Sequence, residues 1–219
     1  NSNIPVLGHS DGICNTYVHS DADMDKSLKV IYDAKTQYVA ACNATETILV
    51  NQAAAEEFLP EIKKIFDGKV EIFGCGRTRE YIDVKSADES NWKTEYLDYK
   101  VSVKVVESID DAIKHINTYG SRHTECILTE DEKAAKRFMA LVDAASTYWN
   151  CSTRFADGFR YGFGAEVGIS TSKIHARGPV GLDGLTIYKY KMLGNGHIVE
   201  DYASKKRVFK HKRMEKAFE

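Results

Sequence analysis

Cys42 is the first group in this sequence whose type and surroundings suit covalent chemistry. It follows Ala40 and Ala41 in the stretch KTQYVAACNATETILV, residues 35–50. A helix-like segment precedes it, and Ile48, Leu49 and Val50 follow as a strand-like run. A thiol at such a junction, with only small neighbours, is open to a substrate, and its thiolate is a nucleophile. The same pattern also fits a free cysteine packed as a small hydrophobe. A second group is three arginines, Arg154, Arg160 and Arg177, in a glycine-rich stretch. Glycine lets backbone N–H groups approach a ligand, and the guanidinium fork grips carboxylate or phosphate. Alternatively these arginines pair with Asp157 or Glu166 as structure.

Other candidates are weaker. Gly162–Gly168, GFGAEVG, has the spacing G-x-G-x-x-x-G and no clear strand before it, so it fails as a dinucleotide fingerprint. Gly74-Cys75-Gly76 is weaker still. His115, His123 and Cys126 read as core or solvated residues, since no His/Cys set has zinc spacing and no C-x-x-C occurs.

The composition narrows the function classes. The chain has 219 residues, 43% hydrophobic and 28% charged, which suits one large or two small domains. A net charge of −2 argues against a nucleic-acid-binding domain. The five cysteines, Cys14, Cys42, Cys75, Cys126 and Cys151, are odd in number and unpatterned, as expected of free thiols in a reducing compartment. No signal peptide and no long apolar run is present, so no membrane span is expected. The sequence opens at Asn1-Ser2 without an initiator Met, which reads as a processed or cut piece of something longer.

The elements that must position the cysteine and the arginines alternate. Short strands are expected at Ile4–Leu7 and Ile13–Val18. A helix spans Asp21–Gln37, capped by Asp21 or Asp23, with Met24, Leu28, Ile31 and Tyr32 at helical spacing. Ala53–Asp67 is a second amphipathic helix, with Phe58, Ile62, Ile65 and Phe66 on one face and Gly68 past its end. Val70–Phe73 is a strand, and Thr78–Tyr99 reads as a polar, irregular excursion. Val101–Val106 is rich in β-branched residues, and Ser108 caps a helix through Tyr119 that Gly120 closes. Cys126–Leu128 is a strand. Thr129 and Glu132 form a capping box that starts a helix to about Ala145, with Ala135, Phe138, Met139 and Val142 inside. Thr147–Trp149 is the next strand. Strand and helix in alternation predict a parallel α/β sheet covered on both faces. From Ser152 the chain is rich in Gly and Arg with little periodicity, a texture typical of functional loops. Thr186–Tyr190, TIYKY, alternates like a solvent-facing strand. Lys205, Lys206, Arg207, Lys210, Lys212 and Arg213 form a basic tail, solvated or anion-binding.

Together, IPVLGHSDGIC, DAKTQ, ACNATETILV, TEY and STRFADGFRYGFGAEVGISTSKIHARGPVGLDGL resemble γ-glutamyl phosphate reductase, the glutamate-5-semialdehyde dehydrogenase of proline biosynthesis. That enzyme is found alone or as the C-terminal half of bifunctional pyrroline-5-carboxylate synthase. The resemblance runs from about Ile4 to Val199 and places the chain in the aldehyde dehydrogenase superfamily. It implies a catalytic α/β domain, a nucleotide-binding domain and a β oligomerisation arm. Residues 1–20 would end the nucleotide-binding domain, 21–157 form the catalytic domain, 158–180 a return segment with substrate and cofactor loops, and 181–219 the oligomerisation strand and tail. On this resemblance most of the nucleotide-binding domain would lie outside these residues, and with it those for the cofactor's adenosine and pyrophosphate.

The resemblance also implies roles. Cys42 matches the nucleophile that attacks γ-glutamyl phosphate, and NADPH then reduces the thioester. Asn43, directly after Cys42, is a further candidate to orient the site on its position alone. Glu95 of TEY matches the glutamate that holds the nicotinamide ribose, and Arg154 and Arg177, then Arg160, hold the substrate's phosphate and carboxylate. The family's hydrolytic relatives carry a general-base glutamate ahead of the cysteine, whereas Pro5-Val6-Leu7-Gly8-His9 has no carboxylate, which favours a reductase. The expected partners are the small-molecule substrate, copies of the same chain, and a glutamate 5-kinase activity as a separate protein or fused domain. Cytoplasmic location is expected, with mitochondrial as the alternative, and the isolated piece is expected to be inactive. Two further readings remain: an assembly module without turnover, and a relative that oxidises another aldehyde.

Overall fold

A computed structural model describes residues 11–174 and 176–212. The expected strand Ile4–Leu7, the stretch Pro5–His9 and Arg213 lie outside the described residues. Contacts divide the chain into two units, Asn1–Thr186 and Ile187–Glu219.

In the first unit, capping and periodicity set the long helices. After β1, Cys14–Val18, Asp23 caps α1, Met24–Thr36, by accepting from the Lys26 N–H. After β2, Thr45–Asn51, the Asn51 side chain accepts from Ala53 N and starts α2, Gln52–Phe66. Gly68 past its end has φ +66°, the left-handed conformation that glycine adopts without strain. β3, Glu71–Gly74, leads into the expected irregular excursion, which holds a short α3, Thr78–Tyr81, and β4, Lys85–Ser86. β5, Lys100–Val106, is followed by α4, Ile109–Tyr119, capped by Ser108 as expected. Gly120 closes α4 with an extended backbone, φ −64°. It is glycine because a Cβ there would sit 2.7 Å from the Ile116 carbonyl oxygen and 2.8 Å from Glu125 Oε1.

The expected capping box is corrected. After β6, Thr124–Leu128, helix α5 runs Glu132–Leu141 with Asp131 as its cap, so it starts later and ends earlier than Thr129–Ala145. The Thr129 hydroxyl is engaged instead with Asp21 Oδ1 at 2.5 Å and receives Asp131 N–H at 3.0 Å. Ala135 and Phe138 are buried as expected, but Met139 is 41% exposed. The last strand of the sheet is β7, Ser146–Trp149.

The sheet order is β4-β3-β5-β2-β1-β6-β7, and every pairing is parallel. Alternation along each strand feeds two cores. One face buries Val18, Ile48, Val50, Val101, Val103 and Val105 against Ile31 of α1 and Phe58, Leu59 and Ile62 of α2. The other buries Tyr17, Leu49 and Ile127 against Ile113 and Ile116 of α4 and Phe138 of α5. Apolar burial on both faces is what keeps a parallel sheet together.

Beyond β7 the chain reverses at Asn150, which takes φ +53°, and its N–H bonds the Ile127 carbonyl at 2.9 Å. A 3-10 turn at Thr153–Phe155 and α6, Gly158–Tyr161, follow. The glycine-rich stretch then holds a small antiparallel pair that sequence patterning did not anticipate: β8, Gly168–Ser170, and β9, Gly178–Val180. The unit ends after α7, Leu182–Leu185.

In the second unit, one short helix, α8, Val199–Ala203, is steadied by Tyr202 stacked on Phe209 at 4.5 Å. The expected strand at Thr186–Tyr190 pairs with no other strand among the described residues.

Candidate active site

Cys42 sits in the loop that feeds β2, at the N-terminal edge of the sheet. It is free and partly exposed, so the sulfur is not walled into either core. Its backbone is pressed against the start of β1. A Cβ at Gly12 would fall 1.9 Å from the Cys42 carbonyl oxygen, a distance no side chain tolerates. The buried Cys14 thiol also reaches that carbonyl, at 3.3 Å.

The return segment closes the loop from the other side. Buried Asn43 donates from Nδ2 to the Ala156 carbonyl at 2.8 Å. Three buried threonines link the same parts: Thr16 and Thr45 hydroxyls lie 2.8 Å apart, Thr45 and Thr153 hydroxyls 3.2 Å apart. Asn43 is therefore a clamp that fixes the cysteine loop onto residues 153–156.

That closure delivers Arg154. Its side chain is 8% exposed, with Nε donating to Gln37 Oε1 at 3.0 Å. Arg160 donates to the Arg154 carbonyl and lies 3.7 Å from Asp157. The two arginines, with Asp33, Gln37 and Phe155, line a cleft of about 220 Å³. Burial and the neighbouring Arg160 charge lower the Arg154 pKa.

The electrostatics at the sulfur are mixed. Burial pushes the Cys42 thiol above its ordinary pKa, and the Glu95 and Glu166 carboxylates add to that; Arg154 opposes them. The structure thus brings Cys42, Glu95, Glu166 and Arg154 within electrostatic reach of one another. Glu95 arrives on the loop ahead of β5. Tyr96 next to it stacks on Phe73 with ring centroids 5.7 Å apart and meets Ser102 Oγ at 2.9 Å. Leu97 N–H points to Glu46 Oε1 at 3.4 Å, and Glu46 is itself in a fully buried ion pair with Lys35 at 2.6 Å. Glu95 makes no hydrogen bond among the described residues, so its carboxylate is free for a ligand.

Glu166 is the residue that sequence reasoning did not pick out as functional. Oε2 accepts the Gly158 N–H at 2.9 Å, and burial raises its pKa. Its position beside the cysteine follows from a glycine-lined reversal: a Cβ at Gly158 would meet the Gly164 carbonyl oxygen at 2.6 Å. Nothing in the local sequence announces such an approach.

Arg177 is placed elsewhere. Its Nη2 holds Asp143 Oδ1 at 2.9 Å, and Lys173 holds the other oxygen at 2.7 Å. The partner is Asp143, not the Asp157 or Glu166 that sequence considered, although a buried Arg177 Nε–H has no acceptor. Among the described residues no His, Cys, Asp and Glu cluster could hold a metal ion, and no helix is long and apolar enough to cross a membrane.

No protein-family model matches the chain. It is 62% identical over all 219 residues to the γ-glutamyl phosphate reductase of Acetivibrio thermocellus, of which it covers 51%. The chain spans about half the length of the curated relatives it matches. The solved γ-glutamyl phosphate reductase of Thermotoga maritima superposes with a TM-score of 0.86 at 49% identity, over 90% of this chain and 48% of that one. An acetylating aldehyde dehydrogenase from Geobacillus thermoglucosidasius shares the fold at 17% identity, TM-score 0.64, over 89% of this chain and 54% of that one.

Proposed function

From a likeness to γ-glutamyl phosphate reductases that runs through the whole chain, we propose that it carries the catalytic cysteine half of such an enzyme. Cys42 Sγ, as thiolate, attacks the acyl carbon of γ-glutamyl phosphate. The acyl–oxygen bond breaks, phosphate leaves, and the γ-glutamyl group stays on sulfur as a thioester. A nicotinamide cofactor, NADPH in this reading, would supply hydride to the thioester carbon, held at its ribose by Glu95. The C–S bond then breaks, Cys42 regains its thiolate, and glutamate 5-semialdehyde departs, a step of proline biosynthesis.

The observation that carries this reading is the partly exposed Cys42, with Arg154, Glu95 and Glu166 within electrostatic reach of its sulfur. Arg154 favours the thiolate and, with Arg160, offers an anion cleft for the substrate's carboxylate or phosphate. Arg177, with its spare Nε–H, is a further candidate for a substrate anion. The cofactor fits what is present: the unbonded Glu95 carboxylate can accept both hydroxyls of a ribose. Asn43 keeps the loop in place. Cytoplasmic location suits five free thiols.

The test is Cys42→Ser in a form spanning the full length of the relatives, assayed with NADP⁺, phosphate and glutamate 5-semialdehyde. Turnover should fall by roughly 10³-fold or more; full activity in the variant sinks the reading. A panel of other aldehydes with and without phosphate tests whether a different substrate is favoured.

A second reading has its own support. Ile187, Tyr188, Tyr190, Met192 and Leu193 are each at least 80% exposed in an uninterrupted stretch. We infer that this stretch assembles copies of the chain. Sedimentation of the 219-residue chain should give a dimer or larger; a monomer at high concentration removes this reading.

A further inference from the structure

A crevice of the first unit lies away from the cysteine. It has a volume of about 670 Å³, within the range of small-molecule sites. It opens at the C-terminal ends of β3 and β5, whereas Cys42 lies at the N-terminal end of β2. The strands part there. The connection after β3 packs Ile82 and Val84 on the α2 face, while β5 continues into α4 on the other face. Open parallel sheets take ligands at such switch points, outside the carboxyl ends of the strands.

The polar groups in this crevice are unevenly matched. Its two carboxylates are engaged: Glu107 holds Arg77 at 2.6 Å, and Asp111 accepts the Ser108 hydroxyl at 2.8 Å. Its lysines, Lys104 and Lys114, have no carboxylate partner among the described residues. Lys104 Nζ instead donates to His115 Nδ1 at 3.1 Å, beneath the rings of Trp92 and Tyr119 at 5.2 and 5.8 Å. An ammonium donor on Nδ1 leaves the His115 proton on Nε2. That Nε2 is buried and has no acceptor, in a side chain only 4% exposed. An N–H without an acceptor, two ammonium groups without a carboxylate and the Tyr119 ring in the lining suit one thing: an acceptor-bearing anion with a small apolar body.

We propose that this crevice is a second ligand site, taking a small organic anion, carboxylate or phosphate, held by Lys104, Lys114 and His115. The site does not depend on the reductase reading, because none of these residues touches the cysteine loop.

The experiment titrates the 219-residue chain with glutarate in one arm and methyl phosphate in the other, followed by calorimetry and by the His115 ring resonances. One arm should saturate and shift His115, and which arm does so identifies the charged group. Lys104→Met should weaken that binding about tenfold, the loss of one charge-assisted hydrogen bond. Lys114→Met, on an exposed side chain, gives a second measurement if Lys104→Met does not fold, and should weaken it about threefold or more. Arg154→Met, in the cysteine cleft, should leave it unchanged. Silence at His115 in both arms overturns the proposal. So does binding that survives both lysine substitutions, or binding that Arg154→Met removes.

Discussion

At Cys42 three charges compete over one sulfur. Burial, Glu95 and Glu166 favour the thiol, and Arg154 favours the thiolate. Iodoacetamide alkylation reads the outcome, since only the thiolate reacts. The rate at Cys42 should rise with pH through a midpoint above that of an ordinary cysteine. Glu95→Gln and Glu166→Gln should each move the midpoint down, and Arg154→Met should move it up. A midpoint indifferent to all three substitutions would mean the charges do not reach the sulfur. The neighbouring backbone gives a sharper test. Gly12→Ala places a methyl where the Cys42 carbonyl stands, so the loop must shift. Stability should drop by about 1–3 kcal/mol in urea melts, and Cys42 alkylation should change with it.

Among the elements, the Lys35–Glu46 pair joins the end of α1 to the start of β2 and to the loop that carries Glu95. Both side chains are fully buried, and burial raises the Glu46 pKa to about 7 despite the lysine. Lys35→Met leaves a buried carboxyl without its cation and should cost about 3 kcal/mol, with Glu46→Leu added on top recovering most of it. A single substitution as mild as a surface change would show the pair to be dispensable. The elements also show what residue order reveals. α1 and α4 were legible because each has a capping side chain followed by apolar residues at helical spacing, and α2 because its apolar face ends at Gly68. The start of α5 was not, because Thr129 looks like a cap but its hydroxyl is held by Asp21, 108 residues away in sequence. β8 and β9 have three residues each, too short for alternation to register. TIYKY shows the opposite limit. Its alternation is plain, but a strand needs a neighbour, and none is found among the described residues.

For the whole molecule, the parallel sheet and its two covered faces follow from the alternation of strand and helix, and the site follows only in part. Cys42, Glu95 and Arg154 stood out through the likeness of their motifs and do converge. Glu166 was missed, and Arg177 was assigned no Asp143, because both depend on how a glycine-rich stretch folds back, which no local pattern encodes. The pH response belongs to this scale too. His115 is buried beside the Lys104 ammonium, and burial first, then that charge, lowers its pKa from 6.5 to about 3. A folded pKa below the unfolded one means the unfolded chain takes the proton first. The stabilisation is therefore complete above about pH 6.5 and is lost as pH falls toward 3, at up to about 1.4 kcal/mol per pH unit. Urea melts at pH 7 and pH 4 should show a larger drop for the native sequence than for His115→Gln. Equal drops would place the His115 titration near that of a free imidazole.

The clamp from Asn43 to the Ala156 carbonyl joins residues 113 apart in sequence. During synthesis at roughly 5–20 residues per second, the thiol loop therefore leaves the ribosome some 5–25 seconds before its fastener does. For that interval the nascent chain carries a cysteine without the backbone that later restrains it, and any electrophile in the cell meets that cysteine unguarded.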